Sequence, residues 1–207
     1  MVYMFNLREL LDIFLRKTPI EAFAGRRIAL STGAVTYAIS FLVVAVLMLV
    51  EIMIFRFGYF ILNKEGFVPF LIGAGLILVS AIIIIPIALI AGFVCAYIWG
   101  AIHYFLARFF SNKPGSLNDF NGSLITLFSS VKFAEGLILL IPVIGWLVAA
   151  VMPLYGLFLT FKFMKEKFNL TEPQAAIVVL LPFNIALGAL LLVGLAVSFA
   201  LVGTRLF

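Results

Sequence analysis

One stretch limits what this chain can become: the apolar run over residues 70–107, 38 residues long with Pro86 inside it. As a single helix it would reach about 57 Å, against a hydrocarbon core of ~30 Å. A chain of 207 residues has too little interior to hide such a run from water. Composition excludes the same alternatives. The chain is 65% apolar and only 11% charged, where a soluble domain carries ~25% charge. Disorder needs the opposite balance, low hydrophobicity and high charge. The sequence therefore reads as an all-α, polytopic integral membrane protein with no sizeable soluble domain. No cleavable signal segment is visible in its charged, amphipathic start.

The run is one span or two. Around Pro86 it reads Ile83-Ile84-Ile85-Pro86-Ile87-Ala88, without a polar turn residue. A tight hairpin there would leave backbone groups unpaired in lipid, whereas a proline is tolerated inside a membrane helix. One long kinked helix is the reading. Four further spans are expected at residues 28–55, 120–141, 145–161 and 175–202, five in all. Pro142 and Gly145 mark a short apolar turn, residues 56–68 and 111–119 mark polar ones, and residues 162–172 form a basic loop. Thr171, with Gln174 three residues on, reads as the cap of the last span. Ahead of the spans, Leu7, Leu10, Leu11, Phe14 and Leu15 share one helical face before Pro19 breaks the helix. That segment is expected to lie on the headgroups as an amphipathic interfacial helix. The organisation is thus residues 1–27, an amphipathic cytoplasmic segment, and residues 28–207, one five-helix transmembrane domain.

Charge orients the bundle. With five spans, ten of the fourteen Lys and Arg fall on the side of the N-terminus and three, Arg56, Lys64 and Arg205, on the other; Lys132 lies within a span. Basic loops stay cytoplasmic, which puts the N-terminus inside and the C-terminus on the opposite side. Splitting the long run at Pro86 would leave six against seven and erase the bias. The formal charge of +5 is thereby assigned to topology, and nucleic acid is not an expected partner.

Few residues offer chemistry. Lys132 and Glu135 stand three apart in the middle of the third span, on one helix face. Either charge alone costs ~2.5 kcal/mol or more at membrane depth, so the two are expected to pair or to face the bundle interior. They are the candidate intramembrane polar pair, either a structural lock or an ion or substrate site. Gly92, Ala96 and Gly100 recur every four residues and form a candidate helix-packing seam. His103, the only histidine, lies near the cytoplasmic end of the second span, where interfacial packing is expected. Ser129 and Ser130 are expected to bond to their own helix backbone. Cys95, the only cysteine, excludes an intrachain disulfide and a cysteine zinc site, and reads as a small buried residue. No phosphate loop or paired metal-binding motif is present, so no catalytic, cofactor or metal site is assigned. A convergence of His103, Glu135 and Ser130 would reopen enzyme chemistry.

Several segments in order resemble the Yip family of Rab-interacting membrane proteins, in its prokaryotic form. They are residues 12–23, with Pro19 and Phe23 before the first span; residues 132–136, Lys-Phe-Ala-Glu-Gly; residues 141–145, Ile-Pro-Val-Ile-Gly; and residues 168–175, followed by Leu181-Pro182. The resemblance covers most of the chain. It implies a five-helix integral membrane protein with a cytoplasmic N-terminus, in the cell membrane of a prokaryote. Eukaryotic members act in vesicle traffic by binding prenylated small GTPases and each other. No catalytic residues carry over, and Lys132 and Glu135 depart from the apolar or small residues found there. The expected function is membrane organisation, scaffolding or partner recruitment, with membrane lipids and homo- or hetero-oligomeric membrane proteins as partners. The alternative is a small transporter or channel that uses Lys132 and Glu135.

Overall fold

The computed structural model describes residues 7–64, 66–111, 115–141 and 144–203. Pro142, Lys113 and Arg205 lie outside the described residues, and with them the expected turn at position 142.

The described chain folds into seven helices and no strand: α1 (Leu7–Phe14), α2 (Ile20–Ala24), α3 (Leu30–Leu62), α4 (Phe67–Phe110), α5 (Leu117–Leu139), α6 (Ile144–Phe168) and α7 (Glu172–Gly203). Among the described residues, α3, α4, α5 and α7 are each long and apolar enough to cross a membrane. The chain is an all-α polytopic membrane protein. The expected fourth span corresponds to the first two thirds of α6.

α4 runs unbroken through Pro86 for 44 residues, about 66 Å, so the long apolar run is one helix. α3 also outlasts its expected end and reaches Leu62. Arg56, expected in a polar turn, sits inside the helix. Its Nη2 donates to the Pro69 carbonyl at 3.2 Å, and its guanidinium lies 5.8 Å from the Tyr59 ring and 5.9 Å from the Phe70 ring. Aromatic faces and a carbonyl at the start of α4 thus receive the charge. α6 likewise continues through the expected basic loop, placing Lys165 and Lys167 in its last turn, where cations favour the helix dipole. It stops at Asn169, which takes the left-handed conformation (φ 54) while Leu170 N donates back to Lys165 O at 3.0 Å.

α5 is the centre. It packs on α1, α3, α4 and α6, and two thirds of its most apolar stretch is buried, against none of that of α4. Yet it is the least hydrophobic of the four candidate spans. Its interior is made of small polar groups that satisfy themselves. Ser123, Thr126 and Ser129 donate to the carbonyls of Asp119, Gly122 and Ile125, and Ser130 to that of Leu127. Hydroxyls bonded to their own helix can be buried without water and let neighbouring helices approach.

α3 approaches α5 closest, at Gly33 on Gly122. A Cβ added to Gly33 would lie 2.9 Å from Gly122 Cα. Further along, Val44 packs on Gly136, so α3 and α5 run side by side in the same direction. α4 returns antiparallel along α3, with Gly92 against Tyr37 and Gly73 against Arg56. Matching these contacts, α3 continues about 15 residues, or ~22 Å, past the end of α5. The start of α4 accompanies it. The result is an apolar hairpin standing beyond the end of α5.

At the opposite end a base is packed from both termini of the bundle helices. The N-terminal segment is amphipathic as expected, but its apolar side lies on protein. Leu10 and Ile13 are buried and α1 packs on α5. Phe14 meets Tyr155 edge-on at 5.2 Å, and the Tyr155 hydroxyl donates to Phe14 O at 2.7 Å. α2 buries Ile20, Phe23 and Ala24 against α6. The helix thus anchors to the bundle through these residues, while Leu15 of the same face stays exposed.

Candidate functional site

A cavity of about 660 Å³ opens between α3, α4, α5 and α6, with Phe183 of α7 at its edge. Its wall is mostly apolar: Phe41 and Val44 from α3, Trp99 from α4, Phe128 from α5 and Leu157 from α6. Lys132 and Glu135 lie in this wall. Three residues apart on α5, they form an ion pair, with Nζ 2.7 Å from Oε2. The lysine side chain is 65% exposed and the glutamate only 20%. The carboxylate is therefore set into the bundle and the ammonium leans out from it.

The seam residues divide their roles. Gly92 and Ala96 line the cavity, while Gly100 does not. Gly92 has no room for a Cβ because the Tyr37 hydroxyl lies against it, and Gly100 is filled by the Asn121 side chain. This face therefore receives polar side chains from α3 and α5. The backbone-to-backbone crossing falls at Gly33 and Gly122, which sequence reasoning missed because neither belongs to a repeat.

His103 is fully buried among its neighbours, near the C-terminal end of α4. Its ring packs on Trp99 with centroids 5.0 Å apart, and Nδ1 is 2.8 Å from the Trp99 carbonyl. A carbonyl only accepts, so Nδ1 carries the proton. Nε2 lies toward the Val179 backbone without a well-formed hydrogen bond. His103 and Glu135 face the same cavity, but Ser130 does not line it and Ser129 does. Both serine hydroxyls are held by helix carbonyls, as expected, and neither is presented as a nucleophile.

Two buried groups were not singled out from the sequence. Ser40, buried in the cavity wall, has a hydroxyl without a hydrogen-bond partner. Asn121, also buried, donates from Nδ2 to Tyr97 O at 3.3 Å, and its Oδ1 has no partner. Neither stands out in the sequence: Asn121 lies in the polar start of α5 near Asn118 and Asp119, and Ser40 is one of several hydroxyl residues in the first part of α3. Cys95, expected to be buried, is exposed. It falls on the outer side of α4 with Val94 and Ile98, which are also exposed.

A second cavity, also of about 660 Å³, lies in the base and carries mixed charge: Glu21, Arg27, Asp119, Glu166 and Lys167. Lys167 donates to the Arg26 carbonyl at 2.9 Å. Burial holds its pKa below the ordinary lysine value, with Arg27 pushing the same way and Asp119 opposing. Beside it, Lys165 pairs with Glu172 at 2.7 Å. That hydrogen bond raises the lysine's pKa. Thr171 N donates to Gln174 Oε1 at 2.9 Å, the cap expected at the start of α7. Among the described residues no group of His, Cys, Asp or Glu is arranged to hold a metal ion.

The chain matches no family model, no curated protein and no solved structure.

Proposed function

We propose that this is a non-enzymatic, multi-pass membrane protein that organises the membrane by recruiting protein partners, in the manner of the Yip family. Its N-terminus is cytoplasmic and its C-terminus is on the opposite side of the cell membrane. Five long helices after a short basic segment support the family reading, as does the ten-to-three bias of Lys and Arg.

The observation that carries the association role is the length of uncovered apolar helix. α4 exposes large apolar side chains from Phe67 to Phe110. Even at a tilt of 40°, its rise of about 66 Å spans about 50 Å of depth, against a hydrocarbon core of ~30 Å. Lipid covers one part of that surface; a second copy or another membrane protein covers the surplus. Photo-crosslinkers at Leu71 and Leu76, both exposed on the hairpin, test this in native membranes. Adducts with a second copy or with a defined membrane protein are expected. Adducts with lipid alone would overturn the reading.

The transport reading draws on a different observation, the place of Lys132 and Glu135 in the cavity wall. A Lys132→Leu/Glu135→Leu protein in proteoliposomes separates the two. Loss of an ion or solute flux with the fold intact would favour transport; partner adducts that survive the double change favour recruitment.

A further inference from the structure

We propose that the cavity beside α5 is a binding site for one phospholipid with a zwitterionic head, its acyl chain inside and its head on the Lys132–Glu135 pair. The size fits, since about 660 Å³ lies within the ~300–1,000 Å³ of ordinary ligand sites. The wall is that of an acyl-chain site, with Phe41, Val44, Phe128 and Leu157 providing apolar contact. Small residues keep the space open. Gly156 borders the cavity, and a Cβ built on it would have ordinary contact only, with Val131 at 3.7 Å.

The polar features select the head. Lys132 donates once to Glu135 and keeps two further N–H donors on a side chain that is 65% exposed. The glutamate uses only Oε2 in that bond, leaving Oε1 to accept. A net charge added to a neutral pair at membrane depth is expensive, whereas a head carrying both signs keeps the assembly neutral. Phosphate belongs on the Lys132 ammonium and a primary ammonium on Glu135. That favours ethanolamine over choline, because a quaternary ammonium has no N–H to donate. The site needs no second protein and stands apart from whatever meets the hairpin.

Native mass spectrometry of the full chain in detergent tests the site, with phosphatidylethanolamine, phosphatidylcholine and phosphatidylglycerol of identical chains as probes. One lipid per chain is expected, with phosphatidylethanolamine preferred over phosphatidylglycerol by about tenfold, a difference of ~1.4 kcal/mol. Gly156→Leu fills the cavity and is expected to abolish retention of all three. Lys132→Leu/Glu135→Leu is expected to retain lipid but lose the preference. Thermal unfolding of each variant reports its fold, and Ala96→Leu, from the α4 side of the cavity, replaces Gly156→Leu if the latter fails to fold. No stoichiometric lipid, retention unchanged by filling the cavity, or a preference for phosphatidylglycerol would each overturn the proposal.

Discussion

At the scale of single residues, the Lys132–Glu135 pair shows how a membrane protein holds charge. Glu135 is mostly buried and Lys132 mostly exposed, so the two single substitutions are unequal. Lys132→Leu strands a carboxylate inside the bundle and is expected to cost about 3 kcal/mol. Glu135→Leu frees a lysine that can snorkel and is expected to cost less. Replacing both is expected to be neutral or stabilising. A double-mutant cycle of unfolding in micelles measures all three. Lys167 offers a pH test. Its folded pKa lies below the ordinary value of 10.5, so across the window between the two the unfolded chain binds more protons. Stability therefore rises with pH in that window. Lys167→Met is expected to flatten this slope in the window below the ordinary lysine value, as read by thermal midpoints at each pH. The pair was legible from spacing alone, because two charges three apart in an apolar run have one shared face. Ser40, Asn121 and the exposure of Cys95 were not, since they depend on which side of α3, α4 and α5 meets a neighbour.

At the scale of elements, the sequence marked where apolar helices lie better than where they stop. α3 and α6 run past their expected ends because Arg56 finds aromatic faces and a carbonyl, and because lysines suit a helix C-terminus. The continuity of α4 through Pro86 was legible from the missing turn residues. Pro86→Ala is therefore expected to shift stability by less than about 1 kcal/mol and to leave helicity unchanged by circular dichroism. The central place of α5 was hidden, because hydropathy ranks it last among the four candidate spans. Its burial comes from self-satisfied hydroxyls and one glycine contact. Gly122→Val would drive a side chain into the backbone of residues 28 and 29. It is expected to destabilise the bundle by about 1–3 kcal/mol, with a matching fall in thermal midpoint.

For the whole molecule, orientation and reach are the testable properties. On a Cys95→Ala background, Leu62→Cys and Phe109→Cys occupy exposed sites near opposite ends of the bundle. A membrane-impermeant maleimide is expected to label position 62 from outside intact cells and position 109 only after permeabilisation. The reverse pattern would invert the topology. The overall class of the chain was legible from its oil content and long runs. How the base closes was not, because α1 and α2 are too short for their pattern to say what they pack on.

The low hydropathy of α5 bears on how the protein is made. During synthesis α3 and α4 leave the ribosome first, and each is greasy enough to partition into lipid by itself. α5 carries a lysine, a glutamate and a row of serines and threonines, so lipid alone holds it weakly. Its tight seat on Gly33 of α3 gives it a reason to stay. We expect that chains with Gly33→Leu will mislocate this segment during insertion, leaving a glycosylation acceptor placed after residue 139 on the wrong side of a microsomal membrane. The helix that organises the finished bundle is then the one whose entry depends most on a neighbour already in place.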